Sequence, residues 1–121
     1  MKILVVDDEA DIRRIARLAL QKIGGMEVAE SEGGAGAVDA AQAERPDAIL
    51  LDVMMPGIDG PGVLAALRER ESTKDVPVIF LTAKAMPAEV EHLKSLGATG
   101  VLAKPFDPLR LASSVRGLLV H

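Results

Sequence analysis

The sequence predicts an α/β fold in which a five-stranded parallel sheet lies between two layers of helices. Short apolar runs alternate five times with segments whose apolar residues recur at helical spacing. Strict alternation implies crossover connections, which make the strands parallel and place helices on both faces of the sheet. Near-continuous apolar runs such as KILVV and VIFL are typical of strands covered on both sides.

Five runs of the chain have the composition of buried strands. In order, they span residues 2–6, 26–30, 47–52, 76–82 and 100–103. The second run, MEVAE, is the weakest because polar residues interrupt it. Asp7 directly follows the first run and Asp52 ends the third, although a carboxylate is unfavourable in an apolar core unless a partner compensates its charge.

The first two helices are bounded by glycine and proline. The first is predicted from Asp8 to Lys22 and ends at Gly24 and Gly25. Its apolar residues at helical spacing are Ile12, Ile15, Ala16, Ala19 and Ile23. The second is predicted over 34–44, before Pro46. We expect the second helix to fray at its start, because Gly36 costs about 1 kcal/mol relative to alanine.

The last three helices each carry a proline in the first turn, where no backbone donor is needed: Pro61, Pro87 and Pro108. Gly97 closes the fourth helix. Asp107 is the predicted N-cap of the fifth helix, which extends through Leu119.

Composition excludes several classes of protein. A length of 121 residues predicts a single domain, 1–121, that is large enough to bury a hydrophobic core. Aromatic residues make up 2% and the net charge is −4, which argues against direct nucleic-acid binding. The absence of cysteine excludes a disulfide framework and a thiolate metal site, and it fits the cytoplasm. No apolar run is long enough for a membrane span and no signal peptide precedes the first strand.

Polar residues of complementary chemistry follow four of the predicted strands. Asp7 and Asp8 follow the first strand, Asp52 ends the third, Thr82 ends the fourth and Lys104 follows the fifth. Reactive groups in such sheets gather outside the carboxyl ends of the strands. Two carboxylates about 4 Å apart repel by roughly 4 kcal/mol at an effective dielectric constant of about 20, and a divalent cation offsets that cost. An oxygen-only cluster suits Mg²⁺.

This combination of side chains predicts phosphoryl transfer to an aspartate. A carboxylate is a competent nucleophile toward phosphorus and is already ionised at neutral pH. The transferred group carries charge on its equatorial oxygens. A metal, an ammonium and a hydroxyl can each stabilise one of those oxygens.

Four stretches of the chain resemble the receiver domains of two-component response regulators, the CheY-like superfamily. They are ILVVDDEADIRRIARLAL, PDAILLDVMMPGIDG, VPVIFLTA and GATGVLAKPFD, and together they span nearly the whole chain in order. The resemblance implies a flavodoxin-like (βα)5 three-layer sandwich with strand order 2-1-3-4-5. It also implies a phosphorylation-dependent signalling switch of a phosphorelay rather than a conventional enzyme.

The same resemblance implies an acceptor and a metal site. Asp52 would accept a phosphoryl group from a histidine kinase or a phosphotransfer protein. Asp8, Asp52 and the backbone carbonyl of Met54 would ligate Mg²⁺, with Mn²⁺ as a plausible substitute, while Asp7 would act mainly through water. The side chains of Met54 and Lys84 would border the site and tune the rates at which phosphate is gained and lost.

The resemblance further implies how the switch works. Lys104 would pair with Asp52 before phosphorylation and with the phosphoryl oxygens afterwards, and Thr82 would move to meet the phosphoryl group. The bond before Pro105 would be cis, as X–Pro bonds can be. The face of the fourth helix, fifth strand and fifth helix would change, and it could join two copies in a weak dimer if the chain is not monomeric. The kinase and the output target are not specified by the sequence.

One position departs from the family. Members commonly carry an aromatic residue three positions before the lysine, and here that residue is Val101. Valine has no ring that could move between buried and exposed positions, and its χ1 is stiff. We therefore expect a small structural change around Val101.

Two other functions use the same residues. A Mg²⁺-dependent aspartyl-phosphate phosphatase would need a second acid two residues after the nucleophile, and Met54 is not acidic. A phosphate-independent receiver-like module should lack a key residue, yet all five are present. The start at methionine without a linker mildly favours a stand-alone receiver over an excised one. His92 and His121 have no partner at ligand spacing, and we expect both to be exposed.

Overall fold

A computed structural model describes residues 1–120 and has the predicted α/β architecture. The strands are β1 (Lys2–Val6), β2 (Glu27–Ser31), β3 (Ala48–Asp52), β4 (Val78–Thr82) and β5 (Gly100–Ala103). The helices are α1 (Ala10–Leu18), α2 (Gly34–Glu44), α3 (Gly60–Arg68), α4 (Pro87–Ser95) and α5 (Leu111–Leu119). All strand pairs are parallel, and the order across the sheet is β2-β1-β3-β4-β5. Among these residues no helix is long and apolar enough to cross a membrane.

The sheet separates two aliphatic cores. Ile3 and Val5 of β1 pack with residues of α1 and α5, whereas Leu4 and Val6 pack with residues of α2, α3 and α4. Alternate residues of a strand point to opposite faces, so both sets are apolar only in a strand covered on both sides. This explains why the strands are near-continuous apolar runs and confirms helices on both faces.

The first helix differs from its prediction in its ends and in its buried face. It begins at Ala10, and a π-helical turn over Ala19–Ile23 follows it. Ile15 is 41% exposed and Ile23 is 51% exposed, so these two do not face the sheet. Arg13 lies on the buried face instead, together with Ala16.

The last helix begins at Leu111 rather than at Pro108. The side chain of Asp107 accepts a hydrogen bond from the amide of Leu109 at 2.9 Å. That local turn competes with helix formation, as aspartate side chains often do. The N-cap prediction for Asp107 is therefore wrong, and Arg110 occupies the N-cap position.

Smaller expectations have mixed outcomes. β4 begins at Val78, two residues after the predicted start of the run at Val76. Gly36 lies within α2, and the fraying of that helix stays a prediction. His92 is exposed as expected, and His121 lies outside the described residues.

Candidate functional site

The strand ladders bring the predicted site residues to one edge of the sheet. Asp52 is the last residue of β3 and Thr82 the last of β4. The ladder continues past β1, where the amide of Asp7 donates to the carbonyl of Ser31 at 3.2 Å. It also continues past β5, where the amide of Lys104 donates to the carbonyl of Thr82 at 2.8 Å. The carboxyl ends of four strands thus present their polar side chains together.

Three carboxylates meet at this edge. Oxygen atoms of Asp7, Asp8 and Asp52 all lie within 4.8 Å of one another. Asp7 is fully buried, Asp52 is 4% exposed and Asp8 is exposed to solvent. Acids are rarely buried unless a cation compensates their charge, so this cluster requires one or more positive partners.

Lys104 is the positive partner that the chain itself supplies. Its Nζ lies 2.8 Å from Asp7 Oδ2, 3.3 Å from Asp52 Oδ1 and 3.7 Å from Glu9 Oε1. The resemblance implied a pair with Asp52, and the contact with Asp7 is the shorter of the two. The peptide bond between Lys104 and Pro105 is cis.

The two oxygens of the Asp7 carboxylate have different surroundings. Oδ1 accepts a hydrogen bond from the amide of Glu9 at 2.9 Å, which places it at the start of α1. Oδ2 is buried and has no aligned hydrogen-bond donor among the described residues, although the Lys104 ammonium is close. Asp7 therefore closes a local turn before α1 and keeps one oxygen without an aligned donor inside the site.

Burial and neighbouring charge perturb both titrating partners of the pocket. Burial, together with the charge of Asp7, raises the pKa of Asp52, and Lys104 opposes that rise without cancelling it. Burial alone would lower the pKa of Lys104, but the close carboxylates of Asp7 and Asp52 outweigh burial and raise it. A carboxylate of raised pKa is more basic, and hence a better nucleophile once it is ionised.

A cavity of about 250 Å³ lies at the ends of β3 and β4, and its wall includes the two residues that follow Asp52. Its lining residues are Val53, Met54, Thr82, Ala83, Lys84 and Glu89. The hydroxyl oxygen of Thr82 accepts a hydrogen bond from the amide of Lys84 at 3.0 Å. The Met54 side chain lies at the rim, since that residue is 78% exposed. Met54 and Lys84 therefore both line this cavity, and their effect on the phosphorylation rates stays a prediction.

Gly60 allows the loop after β3 to pack directly on the site. A Cβ at this position would lie 2.5 Å from the carbonyl oxygen of Asp52 and 2.9 Å from the ring of Phe80. Its amide donates to the carbonyl of Val53 at 2.9 Å. Any larger residue would push the loop away from Asp52.

Two charged residues beside the site were not predicted. Glu9 reaches Lys104, and Arg13 donates from Nη1 to the carbonyl oxygen of Asp7 at 2.7 Å. In the sequence, the sign of a functional role for Arg13 was its position next to Ile12 in the first helix. Apolar periodicity does not reveal it, because the periodic pattern assigns Ile12 rather than Arg13 to the buried face.

Comparison with known proteins identifies the family. Residues 3–116 match the family described as "Response regulator receiver domain". The chain is a response regulator receiver domain. Receiver domains are generally not conventional enzymes, and they bind Mg²⁺ at an acidic pocket.

Relatives of this receiver domain are named as regulators. A "Probable transcriptional regulator ycf27" of Cyanophora paradoxa is 44% identical over 118 residues, which are 98% of this chain and 48% of that protein. "Transcriptional regulatory protein ResD" of Bacillus subtilis is 41% identical, with the same shares of the two chains. The receiver domain thus spans about half the length of the curated relatives it matches.

Solved structures share the fold. The crystal structure of the chemotaxis response regulator CheY4 of Vibrio cholerae matches with a TM-score of 0.89 and 36% identity. The match covers 97% of each chain. This confirms the CheY-like architecture and the strand order 2-1-3-4-5 that the resemblance implied.

The residues at the acidic edge fit a magnesium ion. The group consists of oxygen ligands only, which is the donor set that Mg²⁺ prefers. The buried Oδ2 of Asp7 has acceptor capacity to spare, and the exposed Asp8 leaves the cluster open on one side. The amide of Met54 lies 3.4 Å from Asp52 Oδ1, so this backbone is adjacent to the cluster.

Proposed function

We propose that this receiver domain is a phosphorylation-dependent switch of a two-component system, with Asp52 as the phosphoacceptor. One observation carries the proposal: the nearly buried carboxylate of Asp52 lies 3.3 Å from the Lys104 ammonium and within the Asp7–Asp8–Asp52 cluster. A nucleophile, a cation and a metal-ligating group are thereby assembled in one place. The proposal treats residues 1–121 as one receiver unit.

The reaction transfers one phosphoryl group. A carboxylate oxygen of Asp52 attacks phosphorus, an Asp–O–P bond forms, and the bond to the donor breaks. For a phosphohistidine donor the imidazole nitrogen leaves and takes a proton. Hydrolysis later returns the carboxylate and inorganic phosphate. Because the carboxylate attacks in its ionised form, no side-chain base is needed.

Each neighbouring residue has a role in this proposal. Asp8, Asp52 and the backbone carbonyl of Met54 would hold Mg²⁺ or Mn²⁺, with Asp7 acting mainly through water. When bound, the metal ion neutralises charge on a phosphoryl oxygen. Lys104 binds a second oxygen of the phosphoryl group. Its ammonium can reach that oxygen because its largely buried side chain already lies beside Asp7 and Asp52.

Switching follows from a contact that exists only after phosphorylation. The Thr82 hydroxyl, which accepts from the Lys84 amide, gains a phosphoryl partner at the end of β4. That contact favours one conformation of the loop after β4 and of the face formed by α4, β5 and α5. Lys84 shields the phosphoryl group from water, and the cavity beside Asp52 provides the space.

The proposed phosphodonor is a histidine kinase or a phosphotransfer protein. The proposal places the chain in the cytoplasm, where such a kinase has access to ATP. Relatives are named as transcriptional regulators, which makes control of transcription by a partner or by a further segment one possible output. The chain itself acts as a monomer or as a weak dimer through α4, β5 and α5, without binding nucleic acid directly.

The test is phosphorylation by acetyl phosphate in the presence of Mg²⁺, followed by intact mass spectrometry. We expect one phosphoryl adduct on the wild type and none on Asp52→Asn. Asp59→Asn is the matched control, because Asp59 lies in the same loop and caps α3 by accepting from the Gly62 amide at 2.9 Å. Asparagine preserves that cap, so the control should be phosphorylated normally.

The outcomes separate the rival functions. An adduct that persists on Asp52→Asn contradicts the acceptor assignment. Continuous release of phosphate from generic phosphate esters would support a phosphatase instead. A wild type that forms no adduct with acetyl phosphate or with a kinase would support a phosphate-independent interaction module.

A further inference from the structure

Arg13 is a buried arginine on the face of α1 that packs against the sheet. It is 9% exposed, whereas its neighbour Arg14 is exposed to solvent. The other buried residue of this helix is Ala16, and the π-helical turn adds Ala19 and Leu20. A buried guanidinium needs hydrogen-bond partners for its donors.

Its donors are directed at the carboxyl ends of β1 and β2. Nη1 donates to the carbonyl oxygen of Asp7 at 2.7 Å, and Nε donates to Glu30 Oε1 at 3.2 Å. Nη2 lies 3.6 Å from Glu32 Oε1. Arg13 therefore links the first acid of the site to two acids at the end of the neighbouring strand.

The contact with the Asp7 carbonyl acts on both aspartates. That carbonyl belongs to the peptide plane that joins Asp7 to Asp8, so a hydrogen bond at its oxygen restrains the backbone on either side. The two carboxylates project from the Cα atoms at the ends of the same plane. Restraining the plane therefore restrains the directions in which both carboxylates leave the backbone.

Glu30 fixes the guanidinium that makes this contact. One of its carboxylate oxygens accepts from Arg13, and the other accepts from Arg17 Nε. A carboxylate held by two arginines has little freedom to reorient. Glu30 consequently holds Arg13 through Nε while Nη1 donates to the carbonyl oxygen of Asp7.

We propose that Arg13 is a positioning residue for the metal and phosphoacceptor site, acting through the Asp7 carbonyl. It touches neither the metal nor the phosphoryl group; it sets the backbone geometry from which Asp7 and Asp8 present their oxygens. Partners of this outer kind typically change metal affinity by about 10–100-fold when they are removed. This role depends on the proposed phosphoacceptor function of Asp52.

The test compares Arg13→Met with Arg14→Met, which removes the same charge from an exposed neighbour. We expect Arg13→Met to weaken Mg²⁺ binding by about 10-fold or more in titration calorimetry. We expect Arg14→Met to bind Mg²⁺ like the wild type. Phosphorylation by acetyl phosphate should slow for Arg13→Met at limiting Mg²⁺ and recover at saturating Mg²⁺.

A second readout needs neither metal nor activity. The amide nitrogen of Asp8 shares the peptide plane with the Asp7 carbonyl, so its chemical shift reports the hydrogen bond from Arg13. In metal-free protein we expect that resonance to move in Arg13→Met and to stay in place in Arg14→Met. Arg13→Lys keeps the charge but not the planar fork, and it should fall between the wild type and Arg13→Met.

The outcomes are decisive for this role. Wild-type Mg²⁺ affinity in folded Arg13→Met overturns it, even if the melting temperature falls. If Arg13→Met does not fold, Arg13→Lys decides: an unchanged affinity and an unchanged Asp8 resonance contradict the proposal. A wild type that binds no Mg²⁺ overturns the proposed function and this role with it, whereas a normal wild type beside an unaffected Arg13→Met overturns this role alone.

Discussion

Two lysine–carboxylate pairs of almost equal length lie in opposite kinds of surroundings. Lys2 Nζ is 2.7 Å from Glu44 Oε1, and the two side chains are 30% and 42% exposed. Lys104 Nζ is 2.8 Å from Asp7 Oδ2, and those side chains are 13% and 0% exposed. Distance alone does not distinguish a surface ion pair from a reactive centre; burial does.

The exposed pair can separate into water at little cost, which is why such pairs contribute little to stability. The buried pair cannot separate without leaving charge in a poorly solvated pocket. The hydrogen bond to Glu44, with the charges of Glu44 and Glu27, raises the pKa of Lys2 against the opposing effect of burial, and no pair of mutually repelling buried acids is involved. The pKa of Lys104 is raised against burial, by two acids that also repel each other. Only the second arrangement holds excess negative charge in a poorly solvated pocket, where an arriving cation can compensate it. The same pocket holds an ammonium that can bind the oxygens of a phosphoryl group.

The largest expected effect is that of removing Lys104, with removal of Lys2 as the comparison. Lys104→Met should slow phosphorylation by acetyl phosphate by about 10²–10³-fold, because one stabilising donor to the phosphoryl oxygens is lost. It should also lower the free energy of unfolding by about 3 kcal/mol, because buried acids lose their partner. Lys2→Met should leave the phosphorylation rate and the melting temperature unchanged. Equal effects of the two substitutions would contradict the distinction between the pairs.

Metal binding gives the next largest contrast. Asp7→Asn should weaken Mg²⁺ binding by about 10-fold or more, since it removes charge from the cluster. Asp39→Asn is the control, because Asp39 forms an exposed pair with Arg70 at 2.9 Å. Titration calorimetry with Mg²⁺, and separately with Mn²⁺, measures both variants. A metal affinity that is insensitive to Asp7 would place the ion elsewhere.

The pH dependence of stability should differ between the wild type and Asp52→Asn when a chelator is present. The folded state raises the pKa of Asp52 above its ordinary 3.8. Between that value and the raised one the folded chain holds more protons than the unfolded chain, so ionisation of Asp52 lowers stability as pH rises. Asp52→Asn should therefore be more stable than the wild type at neutral pH.

Urea unfolding at neutral pH and at a pH below 3.8 measures this difference. The advantage of Asp52→Asn should disappear at the lower pH, where Asp52 is protonated in both states. Asp59→Asn, at an exposed position, should track the wild type at both pH values. An advantage that is the same at both pH values would show that charge is not its cause.

A smaller effect is expected at Lys84, which is exposed and borders the cavity beside Asp52. Lys84→Ala should accelerate loss of the phosphoryl group by less than about 10-fold, because exposed charges act weakly. The decay of the adduct, followed by intact mass, measures the rate. An unchanged decay rate removes Lys84 from the mechanism.

The smallest expected change is at Val101, which is half-buried and packs against the core on the α4 side of the sheet. A stiff β-branched side chain limits the response of this strand. Amide chemical shifts with and without a phosphoryl mimic should move little over 101–104. Large shifts there would show that the α4–β5–α5 face responds through the backbone.

The pattern of residue types is sufficient to predict the α/β class with a parallel sheet and the acidic edge of that sheet. Apolar runs that stop before Asp7 or end in Asp52 and Thr82 identify strand ends, and parallel strands bring such ends together. The strand order itself came from the family resemblance, because alternation alone does not determine which strands are neighbours.

Other features depend on geometry that periodicity does not contain. The side chain of Asp107 bonds within its own turn, which delays α5. Arg13 lies on the buried face of α1, where the apolar pattern predicts isoleucine side chains, because its donors have partners at two strand ends. The shorter contact of Lys104 with Asp7 depends on side-chain positions that no pattern of residue types specifies.

The most direct measurement locates the phosphorylated residue itself. Borohydride reduces an aspartyl phosphate to homoserine, which peptide mass spectrometry assigns to a position in the chain. After phosphorylation with acetyl phosphate and Mg²⁺, we predict homoserine at position 52 and nowhere else. Homoserine at Asp7 or Asp8, or at no position in protein that carries a phosphoryl group, would contradict Asp52 as the acceptor.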